Sequence, residues 1–130
     1  MLASPLALAD CTDPSGATVT CSNSVTTPQY FRTDGQSVTV AQGTQFTTTG
    51  SDTAIHFGSH KASLLNNGNI TSDGDGIRFF STNNSKVENK GTVTTSGART
   101  NAINVAEVAD SEVLNTGKLV TTADEANGIF

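Results

Sequence analysis

Carboxylate side chains recur beside the glycine-rich turns of this 130-residue chain. A row of carboxylates can bind calcium or supply the acid pair of a polysaccharide-cleaving enzyme. Asp is also a common turn residue, because its side chain hydrogen-bonds its own backbone. The sequence favours the turn role, so we expect neither catalysis nor metal binding from these acids. They are Asp52, Asp73, Asp75, Asp124 and Glu125.

The chain has two histidines, His56 and His60, four residues apart. This spacing places two side chains on one face of a helix, but not on one face of a strand and its following turn. No serine lies in a G-x-S-x-G motif, the nucleophile elbow of many hydrolases. We therefore predict no metal site, no cofactor and no enzymatic activity.

Cys11 and Cys21 are the two cysteines of the chain. Two thiolates without a nearby histidine fall short of the four ligands of a structural zinc site. The string MLASPLALA, residues 1–9, resembles the end of an export signal. An even number of cysteines close to such a signal predicts one disulfide, formed in an oxidising compartment. A disulfide between positions 11 and 21 would stabilise the fold by roughly 3 kcal/mol, because it restricts the conformations of the unfolded chain.

A repeated string indicates which elements position these side chains. It reads ASLLNNGNITSDG from Ala62, SKVENKGTVTTSG from Ser85 and SEVLNTGKLVTT from Ser111. Its glycines are spaced 23 (91−68) and 26 (117−91) residues apart. A period in this range is typical of a solenoid, which buries its core between neighbouring turns. Short alternating runs divided by Gly, Asn, Asp and Ser predict three strands per coil and about four coils.

Alignment of the coils predicts columns of apolar residues that face the interior. Alternate residues of each strand should face solvent, among them His56, Arg78, Asn104, Lys86 and Glu112. The predicted inward columns are Ile55, Ile77, Ile103 and Ile129; Phe57, Phe79 and Val105; Ile70, Val93 and Leu119; and Leu64, Val87 and Val113.

Asn66, Asn89 and Asn115 form a further column, each two residues before a glycine. Their amides can stack in a ladder that hydrogen-bonds from coil to coil. Alternatively, each Asn accepts the tight turn that precedes the glycine. Both interpretations remain open from the sequence, and neither is catalytic.

Composition restricts the partners of the chain. Its net charge is −5 and its seven Lys and Arg residues are scattered, which disfavours a nucleic-acid partner. No apolar run approaches the ~20 residues of a transmembrane helix. Apolar side chains are scarce, so a core requires the periodic placement described above.

The chain divides into three predicted segments. Residues 1–9, MLASPLALA, resemble the end of a secretory signal with an A-x-A cleavage site; the alternative is a disordered N-terminus. Residues 10–35 are predicted to form an N-terminal cap that contains the disulfide, and residues up to about Phe31 fit no coil. Residues 36–130 are predicted to be β-helix coils, cut short at the C-terminus. In the first of them, the positions of Val38, Val40 and Phe46 are shifted by one.

A secretory tail, an early cysteine pair and coils built on N-x-G-x-[IV] resemble the start of an autotransporter passenger domain. The resemblance implies an all-β, right-handed parallel β-helix. It also implies export through the inner membrane to the cell surface or exterior of a Gram-negative bacterium. The implied partner is a C-terminal outer-membrane β-barrel of the same full-length protein.

The sequence therefore predicts a structural stalk or adhesin, with a possible ligand on a host surface or another cell. Two alternatives remain. The first is a carbohydrate-active β-helix enzyme that uses the acidic turns. The second is a filamentous adhesin of a two-partner secretion system or a phage-type fibre, since repeated coils suit either.

Overall fold

The computed structural model describes residues 11–12 and 16–130, and β-strand is the only regular secondary structure among them. The strands are short, because turn residues interrupt each alternating run after two to six residues. They follow one another in layers of three. The layers are β1 (Thr18–Cys21), β2 (Ser24–Val25) and β3 (Gln29–Phe31); β4 (Ser37–Val40), β5 (Gln45–Thr48) and β6 (Ile55–Phe57); β7 (Ser63–Asn66), β8 (Asn69–Ser72) and β9 (Ile77–Phe80); β10 (Lys86–Asn89), β11 (Thr92–Thr95) and β12 (Asn101–Ala106); and β13 (Glu112–Asn115), β14 (Lys118–Thr121) and β15 (Asn127–Ile129).

Strands in the same position of successive layers pair in parallel and form three sheets. Sheet A contains the first strand of every layer, sheet B the second and sheet C the third. The chain thus winds through about four turns between its first and last layers. The predicted all-β parallel β-solenoid, with three strands per coil, is confirmed. Residues 1–9, interpreted as a signal remnant, lie outside the described residues.

Inward side chains stack from layer to layer along the interior. In sheet C, Ile77 is paired with Ile55 on one side and Ile103 on the other, and Ile103 with Ile129. The next inward position of the same sheet stacks phenylalanines. The Phe57 ring lies 5.0 Å from that of Phe31 and 4.3 Å from that of Phe79, centroid to centroid. Val105 pairs with Phe79 in the following layer.

The other two sheets contribute equivalent inward columns. Paired inward positions in sheet B are Phe46, Ile70, Val93 and Leu119, and in sheet A they are Val38, Leu64, Val87 and Val113. In the second to fourth layers these apolar residues are buried, except Val105, which is partly buried. Ile129 in the last strand is 48% exposed. A sequence poor in apolar residues thereby obtains a continuous dry interior.

Two sequence interpretations at the N-terminal end are wrong. Residues up to Phe31 do belong to the stack, since β1, β2 and β3 each pair in parallel with the second layer. The apolar positions of that second layer are not shifted, because Val38 pairs with Leu64 and Phe46 with Ile70. The corner between sheets A and B contains residues 41–44 in the second layer but only 67–68 in the third. The additional residues at this corner change the spacing along the sequence but leave the strand pairing unchanged, so spacing alone wrongly predicted a shift.

The repeated glycines permit close approach between layers. A Cβ atom added at Gly91 would lie 2.0 Å from the carbonyl oxygen of Gly68, and one at Gly117 would lie 2.2 Å from that of Gly91. Gly97 is equally constrained, by the carbonyl oxygen of Asp73. The glycine of the repeat is therefore required where the backbone of one layer passes directly over the next.

Candidate functional site

The outer face of sheet C carries a column of four polar or aromatic residues, one in each of the first four layers. Tyr30 pairs with His56, His56 with Arg78 and Arg78 with Asn104. Their side chains face outward because they alternate with the buried Phe31, Phe57 and Phe79 along the same strands. The stacked phenylalanines inside thus set the register of the residues outside.

Two members of this column each form an arginine–aromatic pair. The guanidinium carbon of Arg78 lies 5.0 Å from the centre of the Phe80 ring, and that of Arg32 lies 5.8 Å from the Tyr30 ring. Both distances are within the range of a cation–π contact. Tyr30 is 49% exposed and Phe80 36% exposed. We call the surface formed by Tyr30, Arg32, His56, Arg78, Phe80 and Asn104 the sheet C face.

His56 connects the two arginine–aromatic pairs. Its ring centroid lies 5.6 Å from that of Tyr30, with the two planes tilted by 46°. Burial, and then the positive charges of Arg78 and Arg32, lower the pKa of His56 below its ordinary value of 6.5, while Asp75 opposes this shift. The neutral imidazole therefore predominates at pH 7, and it offers one hydrogen-bond donor and one acceptor.

Asp75 holds one end of the column in place. One carboxylate oxygen accepts a hydrogen bond from the backbone N–H of Asn101 at 2.7 Å, and the other accepts one from Nδ2 of Asn104 at 2.9 Å. Oδ1 of Asn104 and Nε of Arg78 are buried and have no hydrogen-bond partner. Buried polar atoms normally have partners, so these two atoms are exceptions within the stack.

The arginines of this face differ from most other Lys and Arg side chains in having no acidic partner among the described residues. Lys86, Lys90 and Arg99 pair with Glu112, Glu88 and Glu125, respectively. Among the described residues, neither Arg32 nor Arg78 forms a salt bridge. Two arginines without acidic partners therefore lie on one face of a protein whose net charge is −5.

The other two outer faces lack this combination. A shallow groove of about 240 Å³ crosses sheet A, lined by Ser37, Ser63, Lys86 and Glu88 among others, and both charged residues already have partners. Sheet B aligns Thr47, Thr71 and Thr94 on its outside. Threonine is common on exposed strands and does not by itself indicate a ligand.

The acidic residues of the sequence analysis all lie at the corners between sheets B and C. Oδ1 of Asp73 accepts a hydrogen bond from Ser96 in the next layer at 2.7 Å, and Glu125 pairs with Arg99. Together with the contacts of Asp75, these interactions connect one layer to the next. The backbone carbonyl of Asp52 accepts a hydrogen bond from Ser72 Oγ. Their contacts agree with a structural role at the turns.

The two histidines occupy different environments. His56 is on the outside of β6, whereas Nδ1 of His60, in the following turn, accepts a hydrogen bond from the backbone N–H of Asn83. Within the described ranges, no group of three His, Cys, Asp or Glu side chains is arranged to hold a metal ion.

The asparagine column combines both arrangements that the sequence allowed. Nδ2 of Asn66 donates to Oδ1 of Asn89 at 2.7 Å, and Nδ2 of Asn89 donates to Oδ1 of Asn115 at 2.8 Å. Oδ1 of Asn66 also accepts from the N–H of Gly68, within its own turn. The cysteines form the expected disulfide: Cys11 is bonded to Cys21, which is fully buried at the end of β1.

Sequence reasoning placed His56, Arg78 and Asn104 outside but did not recognise a site. Tyr30 was missed because its strand was assigned to a cap that fits no coil. The available signal was its distance from His56, 26 residues (56−30), which equals the distance from Arg78 to Asn104 (104−78).

Comparison of the chain with protein families, curated proteins and solved structures finds no match. The part of the chain that the structure describes contains no helix of the length and apolarity that a membrane span requires.

Proposed function

We propose that this chain belongs to the surface-exposed passenger of a bacterial autotransporter and serves as a stalk or adhesin, not as an enzyme. The observation that carries this proposal is a stack of register-matched layers with a disulfide in its first layer. Such a stack exposes its sides to solvent and is assembled from local contacts between adjacent layers.

The disulfide supports export. Disulfides persist in oxidising compartments such as the periplasm and the cell exterior, and are rare in the cytosol. Cys21 is buried and Cys11 nearly so, which protects the bond inside the first layer. We therefore propose that the chain crosses the inner membrane and acts at the cell surface or beyond it.

The proposed partner is an outer-membrane β-barrel belonging to the same full-length protein. A filamentous adhesin of a two-partner system has a separate outer-membrane protein instead, and its repeated coils are equally compatible with this fold. The carbohydrate-active enzyme has less support, because Asp73, Asp75 and Glu125 already bind neighbouring groups within the stack.

Surface labelling of the source cells tests the proposal. An antibody against the purified chain should label intact cells, and protease added outside should remove the label. A periplasmic protein is the control and should remain protected until the outer membrane is permeabilised. Label that appears only after permeabilisation contradicts surface display.

The reading frame around the coding region distinguishes the two secretion systems. The autotransporter proposal expects a barrel-encoding segment in the same frame. A barrel encoded only by a neighbouring gene would instead establish the two-partner alternative.

A further inference from the structure

We propose that the sheet C face binds an acidic carbohydrate, with its arginines contacting carboxylate groups and its exposed rings packing against pyranose rings. This inference deepens the proposed adhesin function and rests on it for access to an external ligand. The binding chemistry itself follows from the geometry of the face.

Charge indicates the sign of the ligand. Arg32 and Arg78 have no acidic partner among the described residues, although the chain contains more acids than bases. The planar guanidinium matches a carboxylate in a two-point contact, and charge-assisted hydrogen bonds are stronger than neutral ones. An anion that bears carboxylates therefore complements this face better than a neutral or cationic ligand.

The rings indicate that the ligand also has an apolar side. The chain has seven aromatic residues, six Phe and one Tyr. Four are buried, and two of the three exposed rings, Tyr30 and Phe80, lie on this face. An exposed aromatic ring beside a cation offers a flat apolar surface next to a charge. A uronic acid matches both, because its C–H groups cover one side of the ring and its carboxylate projects from the edge.

The spacing of the two arginine–aromatic pairs suits an extended chain. Tyr30 is in the first layer and Phe80 in the third. Layers of parallel strands lie ~4.8 Å apart, so the pairs are separated by about 10 Å along the stack. This distance is comparable to the length of a disaccharide. His56, between the pairs, supplies one donor and one acceptor for hydroxyl groups.

An acidic peptide fits this face less well. Peptides commonly bind sheets by adding a strand to a free edge. The strands that carry His56, Arg78 and Asn104 are each paired on both sides. A peptide here would make side-chain contacts alone, whereas a sugar presents its rings and carboxylates directly to the surface.

Binding is tested with three probes of matched length: a linear hexamer of galacturonate, the same hexamer with its carboxylates methyl-esterified, and hexaglutamate. Titration of the ¹⁵N-labelled chain is followed by amide chemical shifts and by calorimetry. We expect the free acid to shift residues of the sheet C face, and the methyl ester to bind at least about tenfold more weakly. We expect hexaglutamate to bind more weakly than the uronate.

Substitutions test whether uronate binding occurs on the sheet C face. Arg78→Gln should weaken uronate binding by about tenfold, and Arg78→Lys should weaken it less because the charge remains. Lys118→Gln is the matched control: it removes one positive charge from the exterior of sheet B and should leave affinity unchanged. An unchanged amide spectrum away from each substitution verifies folding.

Four results would overturn the inference. These are equal binding of acid and ester, equal losses in the Arg78→Gln and Lys118→Gln variants, shifts confined to another sheet, and hexaglutamate binding as tightly as the uronate. The last would identify an acidic protein as the partner. Because the purified chain is used, failure here leaves the surface-labelling test intact, and failure of surface labelling leaves the binding result intact.

Discussion

Asn66 in one layer donates a hydrogen bond through its side-chain amide to Oδ1 of Asn89 in the next layer, at 2.7 Å. Both side chains are fully buried, and Asn89 continues the ladder to Asn115. A polar column thus runs beside the apolar columns of the interior, and the hydrogen bonds of each inner member depend on its neighbours.

Replacement of Asn89 by alanine should strongly destabilise the protein. Nδ2 of Asn66 is buried and would lose its partner, and a buried unsatisfied group costs about 1–3 kcal/mol. Oδ1 of Asn115 would also lose a partner, but this residue is exposed and water can replace the bond. We expect the free energy of unfolding, measured by urea denaturation, to fall by about 1–3 kcal/mol. Asn69→Ala, an exposed position on sheet B, is the control, with an expected change within about 0.5 kcal/mol. Similar losses in the two variants would contradict the ladder.

Glycine at position 91 should be required by packing. A Cβ there would meet the carbonyl oxygen of Gly68, which is backbone and cannot rotate away. We expect Gly91→Ala to lower the free energy of unfolding by about 2–3 kcal/mol. At Gly58 an added Cβ meets nothing within 4 Å, so Gly58→Ala should be neutral or slightly stabilising. The melting temperatures of both variants measure the effect. Equal melting temperatures would contradict a close contact between position 91 and the backbone of Gly68.

Two adjacent phenylalanines should respond very differently to the same substitution. Phe79 is buried against the ring of Phe57, whereas Phe80 faces outward beneath Arg78. Phe79→Ala should reduce the free energy of unfolding by about 3–5 kcal/mol through the cavity it creates. Phe80→Ala should reduce it by less than about 1 kcal/mol. Chemical denaturation measures both, and a larger loss at Phe80 would mean that the strand faces are reversed.

Stability should decline as the pH falls below 6.5, through His56. The pKa of this imidazole is lowered in the folded protein, first by burial and then by Arg78 and Arg32. Between the folded pKa and 6.5, the unfolded chain binds a proton that the folded chain does not, so acidification favours unfolding. Well above 6.5 the imidazole is neutral in both states and this contribution is constant.

Proton NMR provides the direct measurement. The His56 resonances should titrate with a midpoint below 6.5, and a His60→Gln variant assigns them because the chain has only two histidines. In a His56→Gln variant, the decline in unfolding free energy between pH 7 and the folded pKa should be smaller. A midpoint above 6.5 would show that Asp75 outweighs the two arginines.

The period of the repeat was sufficient to predict the class of fold. Strings such as ENKGTVTT recur with aliphatic residues two positions after the glycine, and stacked parallel strands are the arrangement that buries them all. The repeat did not predict the first layer. Residues 11–31 contain no asparagine–glycine element of the repeat, and β2 has two residues, so backbone pairing alone reveals it.

The sequence by itself determined the alternation of side chains along each strand, the spacing of the repeat and the cysteine pair available for a disulfide. Only the tertiary structure decided which outward residues become neighbours. Tyr30 and Asn104 are 74 residues apart (104−30), and they share one face because corners of unequal length bring four strands into the same register. Local alternation depends on the backbone of one strand, whereas the sheet C face depends on pairing between layers, which no single coil encodes.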